Sequence, residues 1–148
     1  MSFSRSIIHN AKLQSQFSDV YFYQFSYYGP MGVYDVYIEG ADRITHTEDV
    51  FYMWPTGNNS DMGQYPDSDV LTSKRYVTLF ANFAKTLNPT PEPSSLFQNI
   101  TWPKITPDNF PYLNINDTLE LRINPKENTY EKWVEVYETM AIKPYDTF

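Results

Sequence analysis

The chain has 148 residues, 11 Lys+Arg against 18 Asp+Glu, a formal net charge of −7 and no cysteine. That length is within one domain and can bury a moderate core. The acidic balance argues against nucleic acid and anionic membrane surfaces as partners, disulfide and cysteine–metal chemistry are excluded, and no apolar run approaches the length of a transmembrane helix. Aromatic residues reach 18 %, with 13 Tyr beside 11 Pro, which points to dense aromatic packing and proline-stiffened loops rather than disorder. The opening stretch Met1-Ser2-Phe3-Ser4-Arg5-Ser6-Ile7-Ile8 lacks the long apolar core of a signal peptide.

Residues 3–17 hold Ile7, Ile8 and Ala11 near helical spacing, with Ser2 or Ser4 as the cap. His9 falls within this helix and reads as a partly exposed helical histidine. Val20–Tyr27 reads as a strand with aromatics on both faces, buried from both sides as parallel strands are, and ended by Tyr28-Gly29-Pro30. A loop with Gly32 and Gly40 follows. Thr45 then caps a short helix whose first turn carries Glu48 and Asp49, where acidic side chains suit the helix dipole. His46 therefore sits where a buried strand hands over to a helix, on the rim where open α/β sheets place their chemistry. It is the candidate functional centre.

Residues 55–67 form a polar loop. Ser68 or Asp69 caps a long helix reaching about Thr86, with Tyr76, Phe80, Phe83 and Leu87 on one apolar face and Val70, Val77 and Ala84 on an adjoining row. After a Pro/Ser-rich connector come two short strands, Tyr112–Ile115 and Leu119–Ile123, around a turn at Asn116-Asp117. These two are the candidates to pair with Val20–Tyr27. The last element is a helix over Glu127–Thr139, with Trp133, Val136, Tyr137 and Met140 on one face.

Four separated segments, in order, resemble one family. Tyr21-Phe22-Tyr23-Gln24-Phe25 followed by His46-Thr47-Glu48-Asp49-Val50-Phe51-Tyr52 resembles the C-terminal part of type B carboxylesterases, serine hydrolases of the α/β-hydrolase fold that include the cholinesterases and insect esterases. Asn82-Phe83-Ala84-Lys85-Thr86-Leu87-Asn88-Pro89-Thr90-Pro91 resembles the family's "NFAKTGNPTP", and Trp102-Pro103-Lys104-Ile105-Thr106-Pro107 its "WPxYTP". The helix with Trp133 resembles the terminal helix. The resemblance implies an α/β-hydrolase fold, a small-molecule ester as substrate, no cofactor, and His46 as the catalytic base, with Glu48 and Asp49 as candidates to support it. An insect, juvenile hormone esterase-like subtype is one possibility. Two departures stand out. Arg43 occupies the place of a glycine three residues before the histidine, and Leu87 replaces another, so that Asn88 is expected to supply the left-handed helix stop.

A serine esterase needs a serine nucleophile, a histidine base and a carboxylate that orients the imidazole. In α/β-hydrolases they follow in the order Ser, acid, His, with the Ser in a G-x-S-x-G elbow. None of the five glycines (29, 32, 40, 57 and 63) begins such an elbow. Residues 1–148 therefore read as the C-terminal portion of one carboxylesterase domain, carrying the base alone and inactive alone, with nucleophile and acid in an absent N-terminal portion. Asp35, Glu39 and Asp42 read as solvated loop carboxylates. His46-Thr47-Glu48-Asp49 lacks a second histidine four residues on, so no metal site is expected. Sequons at Asn58, Asn99 and Asn116 are glycosylation candidates and favour a secreted parent protein over a cytoplasmic one. A non-catalytic, esterase-like binding or adhesion protein and a truncated gene product stand as alternatives. Oligomeric state is not legible.

Overall fold

The computed structural model describes residues 2–32, 37–40, 43–54, 61–106 and 108–140. Their elements, in order, are α1 (Ser2–Gln14), β1 (Tyr23–Phe25), α2 (Glu48–Met53), α3 (Asp67–Thr86), β2 (Pro111–Ile115), β3 (Leu119–Ile123) and α4 (Glu127–Thr139), with single 3₁₀ turns at Met62–Gln64 and Ser95–Phe97. The chain divides into two compact units, one of residues 1–22, 103–112 and 122–148, the other of residues 23–102 and 113–121.

In the first unit α1 packs on α4. Its core is Ile8, Ala11, Ile105 and Phe110, with Val20, Phe22 and Tyr130 packed against it. Phe22 meets Phe110 edge-on at 5.0 Å between centroids. Helix α1 stops at Gln14, short of the expected end, and closes with Ser18 N–H donating to Gln14 O; Phe17 beyond it is 87 % exposed. Helix α4 has the expected bounds but no fully buried residue: Tyr130 packs against the core, Trp133 and Tyr137 of the expected face are half-buried, and Val136 and Met140 are exposed. Lys104 and Asp19 form an exposed ion pair at 2.8 Å.

The second unit holds the parallel pairing of β1 with β2, Tyr23 opposite Leu113 and Phe25 opposite Ile115. Among the described residues the sheet order is β1-β2-β3, with β1 at an edge. Of the two expected pairing strands, β2 pairs with β1 and β3 lies beyond β2, whereas the long strand Val20–Tyr27 shrinks to three half-buried residues. Before it, Val20 O accepts from Ile105 N–H rather than continuing the ladder. Strand β2 is buried at all five positions, as a strand between two others should be.

Helix α3 keeps only part of the expected apolar face: Tyr76 is buried with Phe80 packed edge-on against it, but Phe83 and Leu87 are exposed. Its buried residues are Asp69, Thr72, Ser73, Arg75, Tyr76 and Leu79, while Val77, Phe83 and Ala84 are exposed. The inner face is polar because backbone carbonyls await it: Ser73 Oγ donates to Tyr52 O at 2.6 Å, and Arg75 donates to Leu96 O and Asp117 O at 2.9 and 3.0 Å. The cap position is Pro66 rather than Ser68 or Asp69. At the other end Leu87 itself adopts the left-handed stop, φ 59, and donates its N–H to Phe83 O at 2.8 Å. Asn88 instead accepts Thr90 N–H on its side chain.

Candidate functional site

Helix α2 is packed on α3, and the turn after β1 lies against both through two carboxylates. Asp69, in the first turn of α3, has no exposed surface; it accepts Tyr27 Oη and Met31 N–H at 2.7 Å each and Tyr52 Oη at 3.4 Å. Such a site fits a carboxylate because every neighbour is a donor. Gly29 and Gly32 bracket this turn, closed by Gly32 N–H to Gly29 O at 3.0 Å. A Cβ at Gly29 would lie 2.4 Å from Asp69 Oδ1, and one at Gly32 would lie 1.8 Å from Glu48 Oε1.

Glu48 is only 2 % exposed, and its Oε2 accepts Thr45 Oγ1 at 2.9 Å. Asp49 accepts Tyr23 Oη at 2.9 Å and Tyr76 Oη at 2.8 Å on one oxygen. Burial pushes the phenols of Tyr23 and Tyr27 up to about 12, with the neighbouring Asp49 and Asp69 adding to the rise. Tyr52 and Tyr76 are raised further, again chiefly by burial.

His46 stands on the exposed turn entering α2. The cap of α2 is Thr47, not Thr45; Thr47 has φ 75, left-handed backbone that β-branched residues rarely adopt, and makes no side-chain cap bond. Its hydroxyl donates to His46 O instead, while Thr45 turns its own hydroxyl to Glu48. Glu48 and Asp49 do begin the helix, but both are drawn inward as acceptors instead of standing in solvent by the dipole. Arg43 lies over the rings of Tyr28 and Tyr37, at 5.0 and 5.6 Å.

The other sequence candidates are dispersed. His9 is half-buried on α1, in the other unit, as its helical reading implied. Glu39 is exposed, and Asp35 and Asp42 lie outside the described residues. Of the sequons, Asn99 is exposed in left-handed backbone, Asn116 is half-buried at the β2–β3 turn, and Asn58 lies outside the described residues. Among the described residues no three His, Asp or Glu converge as a metal site would need, and no helix is long and apolar enough to cross a membrane. Asp69 and the glycines under the carboxylates were missed from sequence; the three-residue spacing of Gly29 and Gly32 was the available signal.

A parallel strand pair, a glycine turn after the first strand and a helix with a histidine at its threshold make a small α/β architecture. The model of the carboxylesterase family matches residues 1–133, and the chain belongs to that family, a family of hydrolases. No curated protein matches the chain.

Proposed function

We propose that this chain supplies the histidine of a serine carboxylesterase of the α/β-hydrolase fold, with His46 as general base and then general acid. The observation that carries this reading is the seat of His46: an exposed imidazole between Thr45, bonded to buried Glu48, and Thr47, held at φ 75. Backbone strain of that kind persists only where the surrounding structure over-determines it, and it clusters at active sites. In the proposed reaction the imidazole takes the proton of a serine hydroxyl as it attacks the ester carbonyl and returns it to the leaving alkoxide. The serine and its acid partner come from outside these residues, the substrate is a small-molecule ester, and an insect, juvenile hormone esterase-like subtype is one form this reading takes. Asn99 and Asn116 are the proposed glycan carriers of a secreted parent.

One observation favours a second reading, a non-catalytic binding member of the family: Arg43 stands where the resemblance expects glycine and lies over Tyr28 and Tyr37. The two separate on one measurement. In a polypeptide joining these residues to a serine-bearing portion, His46→Ala should lower turnover on the order of 10⁴–10⁶-fold. Retention of more than about a tenth of the activity would remove His46 from the mechanism, since triad members act as a unit, and a joined polypeptide that hydrolyses no ester at all would select the binding reading.

A further inference from the structure

We infer that Glu48 is the positioning residue of the His46 turn, locked in place by the absence of a side chain at Gly32. The inference rests on the reading of His46 given above and adds to it the part that holds the imidazole. A glutamate at a helix start that served only the dipole would stand in solvent; Glu48 is 2 % exposed. Burying a carboxylate is costly unless donors meet it, and here Thr45 Oγ1 meets Oε2 at 2.9 Å. Glu48 N–H also faces Thr45 O, at 3.4 Å. The side-chain bond between Thr45 and Glu48 therefore closes a small ring whose two outer members are His46 and Thr47.

The other carboxylate oxygen fixes where that ring sits. Oε1 of Glu48 lies 1.8 Å from where a Cβ at position 32 would be, so the carboxylate occupies space only glycine leaves. The backbone beneath it is itself held, by Gly32 N–H to Gly29 O at 3.0 Å and by Met31 N–H to buried Asp69 at 2.7 Å. The line of support runs from α3 through Asp69 to the turn at 29–32, from that turn to Glu48, and from Glu48 through Thr45 to the histidine. Every link is a contact within one unit of the chain. The part of Glu48 in this arrangement is to remove freedom from the turn that carries the reacting imidazole.

The chain has two histidines, so His9 is a built-in control for His46. Imidazole C–H spectra of the full 148-residue chain should show the His46 signals moving in Thr45→Val, Glu48→Ala and Gly32→Ala while those of His9 stay put. Glu48→Gln, which keeps an acceptor for Thr45, should restore most of the wild-type pattern. Gly32→Ala combined with Glu48→Ala should disturb His46 no more than either change alone, because both act on the same carboxylate. In the active esterase the same variants should lower kcat by on the order of 10²-fold with KM unchanged. His46 signals indifferent to Thr45→Val and Glu48→Ala in a folded chain would overturn the inference. Activity surviving His46→Ala would overturn the catalytic reading and leave the spectral coupling intact, so the two failures are distinct. Should Glu48→Ala not fold, Thr45→Val carries the test, since it removes the hydroxyl and keeps the shape.

Discussion

The hydroxyls of Tyr23, on β1, and Tyr76, on α3, approach each other to 2.8 Å and both contact the same oxygen of Asp49, on α2. One strand and two helices thus meet on three oxygens. The rings behind them also pack closely, Tyr76 edge-on to Phe80 at 4.8 Å and Tyr23 tilted against Tyr76 at 5.6 Å. A polar contact enclosed in this way is strong while its protons are in place and costly once one is lost.

Alkaline pH should therefore unfold this protein earlier than its charge suggests. The phenols of Tyr23 and Tyr27 ionise near 12 in the folded chain against an ordinary value of 10. Between those values the unfolded state holds fewer protons, so stability falls as pH rises through the window and is fully present below it. Denaturant midpoints taken across the window should decline. A flat midpoint would show that these phenols are not enclosed.

Replacing Leu87 with glycine should stabilise the chain. Leu87 holds φ 59 and is 72 % exposed, so the side chain contributes little packing to offset a left-handed backbone. Relieving that conformation is worth about 1 kcal/mol. Chemical denaturation of Leu87→Gly should show the gain, and an unchanged midpoint would mean that the exposed leucine is packed after all.

Asp69→Asn is expected to cost on the order of 3 kcal/mol although the two side chains are nearly isosteric. Both carboxylate oxygens accept, from Tyr27 Oη and Met31 N–H, so an amide nitrogen either opposes Met31 N–H or forces the Tyr27 hydroxyl to reverse and give up donating. The measurement is the unfolding free energy beside that of Asp67→Asn, an exposed neighbour expected to be close to neutral. Equal effects at the two positions would remove Asp69 from the centre of the unit.

The elements legible in sequence were those whose side-chain pattern alone decides them. Leu119–Ile123 and Glu127–Thr139 have the expected bounds, and Tyr112–Ile115 misses only its first residue, Pro111. The site was legible to the extent of placing His46 on a turn ahead of a short helix. What supports it was not, because charged residues at positions 48, 49 and 69 look like ordinary helix-start residues until the donors of distant segments surround them. Nor could the left-handed Thr47 and Leu87 be foreseen, since both residue types disfavour that backbone and only the folded chain imposes it. The long strand failed for a related reason: its aromatic run promised two covered faces, but only Tyr23–Phe25 finds a ladder partner in β2.

Arg75 gives the second unit an anchor of a different character from the exposed Lys104–Asp19 pair. Its guanidinium, 7 % exposed and with its pKa lowered by burial, bridges two peptide carbonyls, Leu96 O and Asp117 O, instead of meeting a carboxylate. Dissolved ions screen charge pairs that stand in solvent and reach a buried fork on carbonyls poorly. Concentrated salt should thus loosen the pair at Lys104 and leave the tie between α3 and the β2–β3 turn in place. Lysine at position 75 would keep the charge and lose the tie, because a single ammonium lacks the flat two-pronged donor that spans both carbonyls.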